Sequence, residues 1–258
     1  MNLPEGSGRT AIAMLTPSSN TVVEPYTSIL ALPLMPEVSV HFGRFRVTRI
    51  ALDEAADNQF AMENVLAAAD LLADAKPSII AWNGTSSSWL GFDYDERLCA
   101  SIAERTGILA TAAVLSLNEF LRLRGTKRIG LVSPYTGDVQ SKIAGNYASI
   151  GIEVVAERHA GLSDNFSFAA LEEEDIRAMC EDVAKAKPEA IVVMCTNMRG
   201  ALIAAELEQR VGIPVLDSVA FTLWGCLYQL GIPTGSLRKY GSLFAEGEDH
   251  LARILQNR

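Results

Sequence analysis

Histidine and cysteine are scarce in this chain: three histidines (His41, His159, His250) and four cysteines (Cys99, Cys180, Cys195, Cys226) are scattered over 258 residues. No CxxC pair or clustered Cys/His set occurs, which leaves no zinc or iron–sulfur ligand pattern. A chain of this length buries enough core to do without disulfides, so reduced thiols and a cytoplasmic location are the expectation. No run approaches the roughly 18–20 apolar residues of a membrane span, and residues 1–10 carry no apolar signal core. Cations are in the minority, 22 Lys and Arg against 31 Asp and Glu, for a net charge of −9. That balance argues against a nucleic-acid-binding surface, because phosphate contacts need clustered Lys and Arg. It leaves small anionic substrates open, since a local pocket can oppose the global charge. GxGxxG and P-loop patterns are missing, which weakens a nucleotide reading. Ser87 and Ser88 lack both a GxSxG setting and an obvious activating histidine, which sets a serine hydrolase aside.

What the chain does have is a duplication. Lys76-Pro77-Ser78-Ile79-Ile80-Ala81-Trp82-Asn83-Gly84-Thr85-Ser86 reappears as Lys187-Pro188-Glu189-Ala190-Ile191-Val192-Val193-Met194-Cys195-Thr196-Asn197. Arg105-Thr106-Gly107-Ile108 follows the first copy as Arg210-Val211-Gly212-Ile213 follows the second. Ahead of them, Ile12-Ala13-Met14-Leu15-Thr16-Pro17 parallels Ile129-Gly130-Leu131-Val132-Ser133-Pro134. The copies disagree where Gly84 stands against Cys195, so a thiol is supplied from one side only.

Short apolar runs bounded by turn residues alternate with helical spacing, the pattern of βα units around parallel sheets. Strands are predicted at 10–16, 37–44, 78–83 and 108–112, with counterparts at 128–133, 152–157, 190–195 and 213–217. Helices are predicted at 56–75 (apolar Phe60, Val65, Leu66, Leu71 and Leu72), 93–106, 115–124, 138–150, 171–186 and 199–211, and a last one beginning over 222–230. The acidic run Glu172–Asp175 reads as a solvated helix start. The fold class is α/β: two similar flavodoxin-like parallel-sheet domains, 1–115 and 116–221, with 222–258 packing back on the first. Ligands bind outside the carboxyl ends of such strands. The loops after 16, 83, 134 and 196 therefore point to a cleft shared by the halves.

Cys195 stands at a predicted strand end, where backbone N–H groups of a following turn and helix would favour a thiolate. The other three cysteines read as small core hydrophobes. Gly84-Thr85-Ser86-Ser87-Ser88 is either a locally satisfied helix cap or a nest of donors for a carboxylate or developing oxyanion. Trp82 and Trp89 read as core rather than pocket lining.

The set Thr16-Pro17-Ser18-Ser19-Asn20-Thr21, Gly84-Thr85-Ser86, Pro134-Tyr135, Gly161-Leu162-Ser163-Asp164-Asn165 and Cys195-Thr196 resembles the aspartate/glutamate racemase superfamily. Within it, the set resembles the branch of maleate cis-trans isomerases and arylmalonate decarboxylases, over nearly the whole chain. The resemblance implies two facing cysteines in racemases and isomerases, the second at Cys195 and the first falling on Gly84. It implies a single cysteine in the decarboxylases, with Thr85, Ser86 and Tyr135 holding the retained carboxylate as it becomes an enediolate. Asn20 and Asn165, with Pro17, Ser18 and Thr196 beside them, match the substrate-binding positions of the isomerase branch. The decarboxylase branch does not carry the Pro-Ser-Ser-Asn pattern in the same form, so the chain is a hybrid of the two.

Two-base racemisation needs an acceptor on one face and a donor on the other, and Gly84 removes one of them. Isomerisation that starts with attack by the first cysteine lacks its nucleophile. Decarboxylation followed by protonation needs only anion donors and one acid. The expectation is a cofactor-independent decarboxylase of a small malonate-like diacid, with Cys195 as proton donor. An isomerase or racemase of a small dicarboxylate or amino acid using Cys195 alone, and an inactive ligand-binding relative, are the alternatives. Expected partners are a small dicarboxylate or related carbon acid and copies of the same chain in an even-numbered homo-oligomer. Metal, nucleic acid and membrane are not expected.

Overall fold

The computed structural model describes residues 9–50, 52 and 62–246. Among them, β1 (Thr10–Pro17), β2 (Val38–Phe45), β3 (Ile79–Trp82) and β4 (Leu109–Ala112) form one parallel sheet in the order β2-β1-β3-β4. A second parallel sheet, β6-β5-β7-β8, is built from β5 (Arg128–Ser133), β6 (Glu153–His159), β7 (Ala190–Val193) and β8 (Val215–Asp217). The two orders are the same, and each is the doubly wound, flavodoxin-like arrangement with its switch point beside the first strand. The eight predicted strands all form, displaced by two residues or fewer at most ends.

The helices are α1 (Val23–Ala31), α2 (Met62–Ala73), α3 (Ser87–Leu90), α4 (Asp93–Thr106), α5 (Ala113–Arg124), α6 (Gly137–Ser149), α7 (Glu173–Ala184), α8 (Ala204–Val211) and α9 (Ser218–Gln229). Helices cover the sheets, so β3 and β7 are buried along their full length, as continuous apolar runs in parallel sheets require. The α7 start carries a reciprocal capping box between Glu172 and Asp175, in keeping with the structural reading of that acidic run.

The duplication extends to backbone conformation. Lys76 and Lys187, each before a proline, have φ of 47° and 51°, a left-handed conformation uncommon outside glycine. Gly107 and Gly212, with φ of 71° and 69°, end α4 and α8, and their N–H groups bond Ala103 O and Glu208 O. The link between the halves runs through α5. From the far end of the chain, α9 packs along α5 and also touches α1, β3, β4 and β8. An edge-on contact of Phe120 with Trp224, at 5.1 Å, ties α5 to α9.

Several helix expectations need correction. Helix α1 had no counterpart in the sequence reading, because Pro25 and the β-branched Val22-Val23 mask it. Proline is tolerated in a first turn, and Asn20 Oδ1 accepts the Val22 and Val23 amides at 2.8 and 2.9 Å. Residues 199–203 are turns, and α8 begins only at Ala204. The last helix starts four residues early, at Ser218, where Asp217 Oδ1 caps it. Leu71 was placed on the buried stripe of α2 but is 76% exposed. Phe60 lies outside the described residues.

Candidate active site

The carboxyl ends of β1, β3, β5 and β7 bring together most of the residues singled out above. Cys195 follows β7 and is 3% exposed. Its Sγ accepts the Asn197 amide at 3.3 Å, and the thiol and the Tyr135 phenol act on each other's ionisation. Tyr135 Oη lies 2.7 Å from Thr85 Oγ1. The Thr85–Tyr135 bond joins the two halves beside Cys195. Edge contacts from Trp89 and Phe168, at 5.1 and 5.5 Å, hold the Tyr135 ring. Trp89 is thus core that fixes the orientation of a site residue.

Burial pushes the Cys195 thiol up to about 12, outweighing the Asn197 amide and the Tyr135 hydroxyl, which pull it down. Burial thus outweighs the backbone amides that would favour a thiolate. Residues 196–203 form turns rather than a helix start, only one amide reaches the sulfur, and the thiol keeps its proton near neutrality. Tyr135 is raised well above the usual phenol range, first by burial and then by the neighbouring sulfur. Cys99, Cys180 and Cys226 are buried, with desolvation raising each of them, as inert core thiols should be.

On the opposite strand end, the hydroxyls of Ser87 and Ser88 are occupied: Ser87 donates to Asp95 Oδ2 and Ser88 to Thr85 O, both at 2.6 Å. Ser86 Oγ is buried and has no protein partner, and the same holds for Thr16 Oγ1 and both polar atoms of the Asn83 side chain. Thr16 and Asn83 are neighbours on one sheet face, since Leu15 pairs with Trp82. Buried polar atoms left unpaired cost about 1–3 kcal/mol each, which marks the β1/β3 switch point as the place where a polar ligand would be held.

Asn20 and Asn165 reach the site but are already engaged. Asn20 caps α1 and donates from Nδ2 to Thr196 Oγ1 at 3.2 Å, while Thr196 donates to Asn83 O at 3.1 Å. Asn165 Nδ2 donates to Ser19 Oγ at 2.8 Å. Pro17 is buried at the β1 end, where its carbonyl accepts the Asn20 amide. Ser18 is not brought into the cluster: it is exposed, and its hydroxyl is tied to the Val47 backbone. Gly84 is buried at the β3 end beside Thr85.

The sequence reading missed Asn197, whose side chain joins Thr21 N and Asn165 O at 3.0 and 2.6 Å. It also missed Arg44, which holds the carbonyls of Ser18 and Asn20. Two fully buried carboxyls were missed as well: Asp95 under the Ser87 loop, and Asp217 next to β7. Burial raises both to about 7, against the hydrogen bonds that lower them. Among the described residues, no group of three or more His, Cys, Asp or Glu side chains is placed to hold a metal ion. No helix among them is long and apolar enough to cross a membrane.

Asn20→Ala should lower stability by about 1–2 kcal/mol through the lost cap and the lost Thr196 bond. Asn20→Asp keeps an acceptor for both the Val22 and Val23 amides and removes only the Nδ2 donor, so its urea midpoint should recover most of that loss.

Comparison with known proteins places this arrangement. The chain is 24% identical over 238 residues to the arylmalonate decarboxylase of Bordetella bronchiseptica, covering 91% of this chain and 96% of that protein. It is 24% identical over 230 residues to the maleate isomerase of Nocardia farcinica, covering 86% and 90%. Among solved structures, a Cys-to-Ser variant of the Nocardia farcinica maleate cis-trans isomerase, with a covalently bound succinylcysteine intermediate, matches with a TM-score of 0.82. That match has 23% identity and covers 91% of this chain and 98% of that one. The model of the family described as arylmalonate decarboxylase matches residues 31–244, most of the chain, including the Gly84 and Cys195 strand ends, and the protein therefore belongs to the arylmalonate decarboxylase family.

Proposed function

We propose that the protein is a cofactor-independent decarboxylase of a small malonate-like diacid that protonates its product from one face. The half-units 1–115 and 116–221, with the C-terminal segment returning to the first, contribute opposite walls of the site. The observation that carries this reading is the single buried thiol at the strand ends, beside the Thr85–Tyr135 pair, where the first repeat has glycine at the matching position. Loss of CO2 leaves the electron pair of the broken C–C bond on an enediolate. Thr85, Ser86 and Tyr135, with the backbone N–H groups beside Gly84, supply donors for that developing charge. Cys195 then gives its Sγ proton to carbon. The resulting thiolate meets the Asn197 amide and the Tyr135 hydroxyl, and regains a proton from water when product leaves.

A thiol that burial keeps protonated suits an acid better than a standing nucleophile, which sets this reading above single-cysteine isomerisation. Asn20 and Asn165 would hold the loops that border the second carboxylate. The test is incubation with a series of substituted malonates and with maleate in heavy water. Release of CO2 with one deuterium at the product α-carbon, in one enantiomer, is expected. Fumarate formation from maleate without CO2 release would overturn the assignment. Binding without turnover of any of them would favour a ligand-binding relative.

Tyr135→Phe keeps the ring contacts with Trp89 and Phe168 and removes only the hydroxyl. It should lower kcat roughly 10²-fold with a smaller change in KM, since the hydroxyl acts on developing charge. Steady-state kinetics check this.

A further inference from the structure

A side chain at position 84 would have no room. A Cβ built on Gly84 falls 1.9 Å from Trp82 Cζ2 and 2.2 Å from Cε2, far inside van der Waals contact. The backbone at Gly84 is not left-handed, so conformation does not demand the glycine; the indole does. Trp82 is fully buried. Its ring packs on Phe45 at 4.8 Å. A fully buried indole packed on Phe45 cannot swing away without displacing the core around it.

The second half shows the reverse distribution of volume. Trp82 pairs with Leu15 in its sheet as Val193 pairs with Val132 in the other, so the two strand ends are in the same register. One copy reads Trp82-Asn83-Gly84 and the other Val193-Met194-Cys195. Bulk two residues before the site position goes with glycine there, and a small β-branched residue goes with the thiol. Residues i and i+2 of a strand share a face, so the two side chains compete for one space.

We infer that Trp82 is a specificity-determining residue that keeps this site single-thiolled, because its indole fills the volume a side chain at 84 requires. The inference rests on the reading of Gly84 as the face opposite Cys195. Trp82/Gly84 behaves as one unit: neither residue can take its counterpart's identity alone, and two-sided proton exchange needs both to change.

A double-mutant cycle on thermal stability tests the packing. Gly84→Ala should lower Tm by roughly 5–10 °C through overpacking. Trp82→Val should lower it as well. The double variant should melt clearly above the sum of the two losses, because each change relieves the other. Gly84→Ala at the parental Tm, or strict additivity in the double variant, overturns the inference. Should Trp82→Val not fold, Trp82→Leu takes its place, and the Gly84→Ala arm decides regardless.

The chemical arm compares Gly84→Cys with Trp82→Val/Gly84→Cys for deuterium exchange and racemisation at the α-carbon of an enantiopure 2-substituted carboxylic acid. At least a tenfold gain in the double variant over the single one is expected. Equal exchange in the two variants would show that the indole does not restrict the thiol and would overturn the inference. Stability coupling without exchange in either variant upholds the packing inference and rejects the proton-transfer reading of the site.

Discussion

Cys195→Ala is expected to reduce decarboxylation roughly 10²- to 10⁴-fold, the range over which a positioned acid contributes, while leaving diacid binding within a few-fold of the parent. The sulfur sits beside the Thr85–Tyr135 pair, 3% exposed, with the Asn197 N–H as its hydrogen-bond partner. Alanine removes the proton donor and leaves the anion donors of the Thr85–Ser86 loop in place. Binding and protonation should therefore separate: KM holds while kcat falls. Residual product should lose its enantiomeric excess, since water would then deliver the proton to either face. Cys195→Ser is the sharper probe. It preserves volume and hydrogen bonding, but its hydroxyl is a much weaker acid than a thiol, so a loss close to that of alanine identifies acidity as the missing property. Unchanged kcat in both variants would remove Cys195 from the mechanism.

The raised thiol carries a companion expectation within the same experiment. Iodoacetamide reacts with thiolate, and burial holds the Cys195 thiol at about 12. Native protein should label slowly at pH 8 and faster as pH rises, with a bound diacid slowing it further. Rapid labelling at pH 7 would show a thiolate poised for attack and revive single-cysteine isomerisation.

The strand ends were legible in the sequence because each is a short apolar run followed by a polar loop, and the duplication fixed which ends correspond. That correspondence put Thr85 and Cys195 at facing strand ends, and the family resemblance added Tyr135. The unread features share a physical cause: each depends on a side chain's direction or burial, which periodicity does not encode. Trp82 reads as core, and nothing in its strand says that its ring folds back over Gly84. Asp95 sits in an acidic first turn, Asp93-Tyr94-Asp95-Glu96, that resembles a solvated helix start, yet it alone of these carboxylates is fully buried. Ser18 and Ser19 differ only in which way the β1 exit turns. The result sends Ser18 to the surface and Ser19 to Asn165. Asn20 was read for its carboxamide, but half of that group serves as the cap of a helix hidden by Pro25.

Stability should fall as pH rises from about 4 to 7, through Asp95 and Asp217. Burial raises both carboxyls from 3.8 to about 7, so the native protein keeps two protons that the unfolded chain releases across this window. The native state then binds more protons than the unfolded one, and each group lowers stability by up to about 1.4 kcal/mol per pH unit until its native pKa is passed. Summed over three units this is on the order of 4 kcal/mol per group, a large share of a typical total of about 5–15. The exposed carboxyls Asp138, Asp182 and Glu189, held below their ordinary values, work in the opposite sense: their contribution is lost only as pH falls below about 4. The maximum should therefore lie near pH 4. Asp217→Asn keeps the Oδ1 cap on the Val219 amide, replaces the unpartnered Oδ2 by an NH2, and cannot ionise. It should be less stable than the parent at pH 4, by about 1 kcal/mol, because its NH2 carries one more unpaired donor than the protonated carboxyl, and more stable at pH 8. Urea midpoints measured across pH 4–9 should cross between these limits, and Asp95→Asn combined with Asp217→Asn should flatten the curve. Parallel curves for parent and double variant would mean that neither carboxyl is protonated in the native protein. Negative charge on Asp217 also raises the Cys195 thiol, so Asp217→Asn should shift alkylation of Cys195 to lower pH.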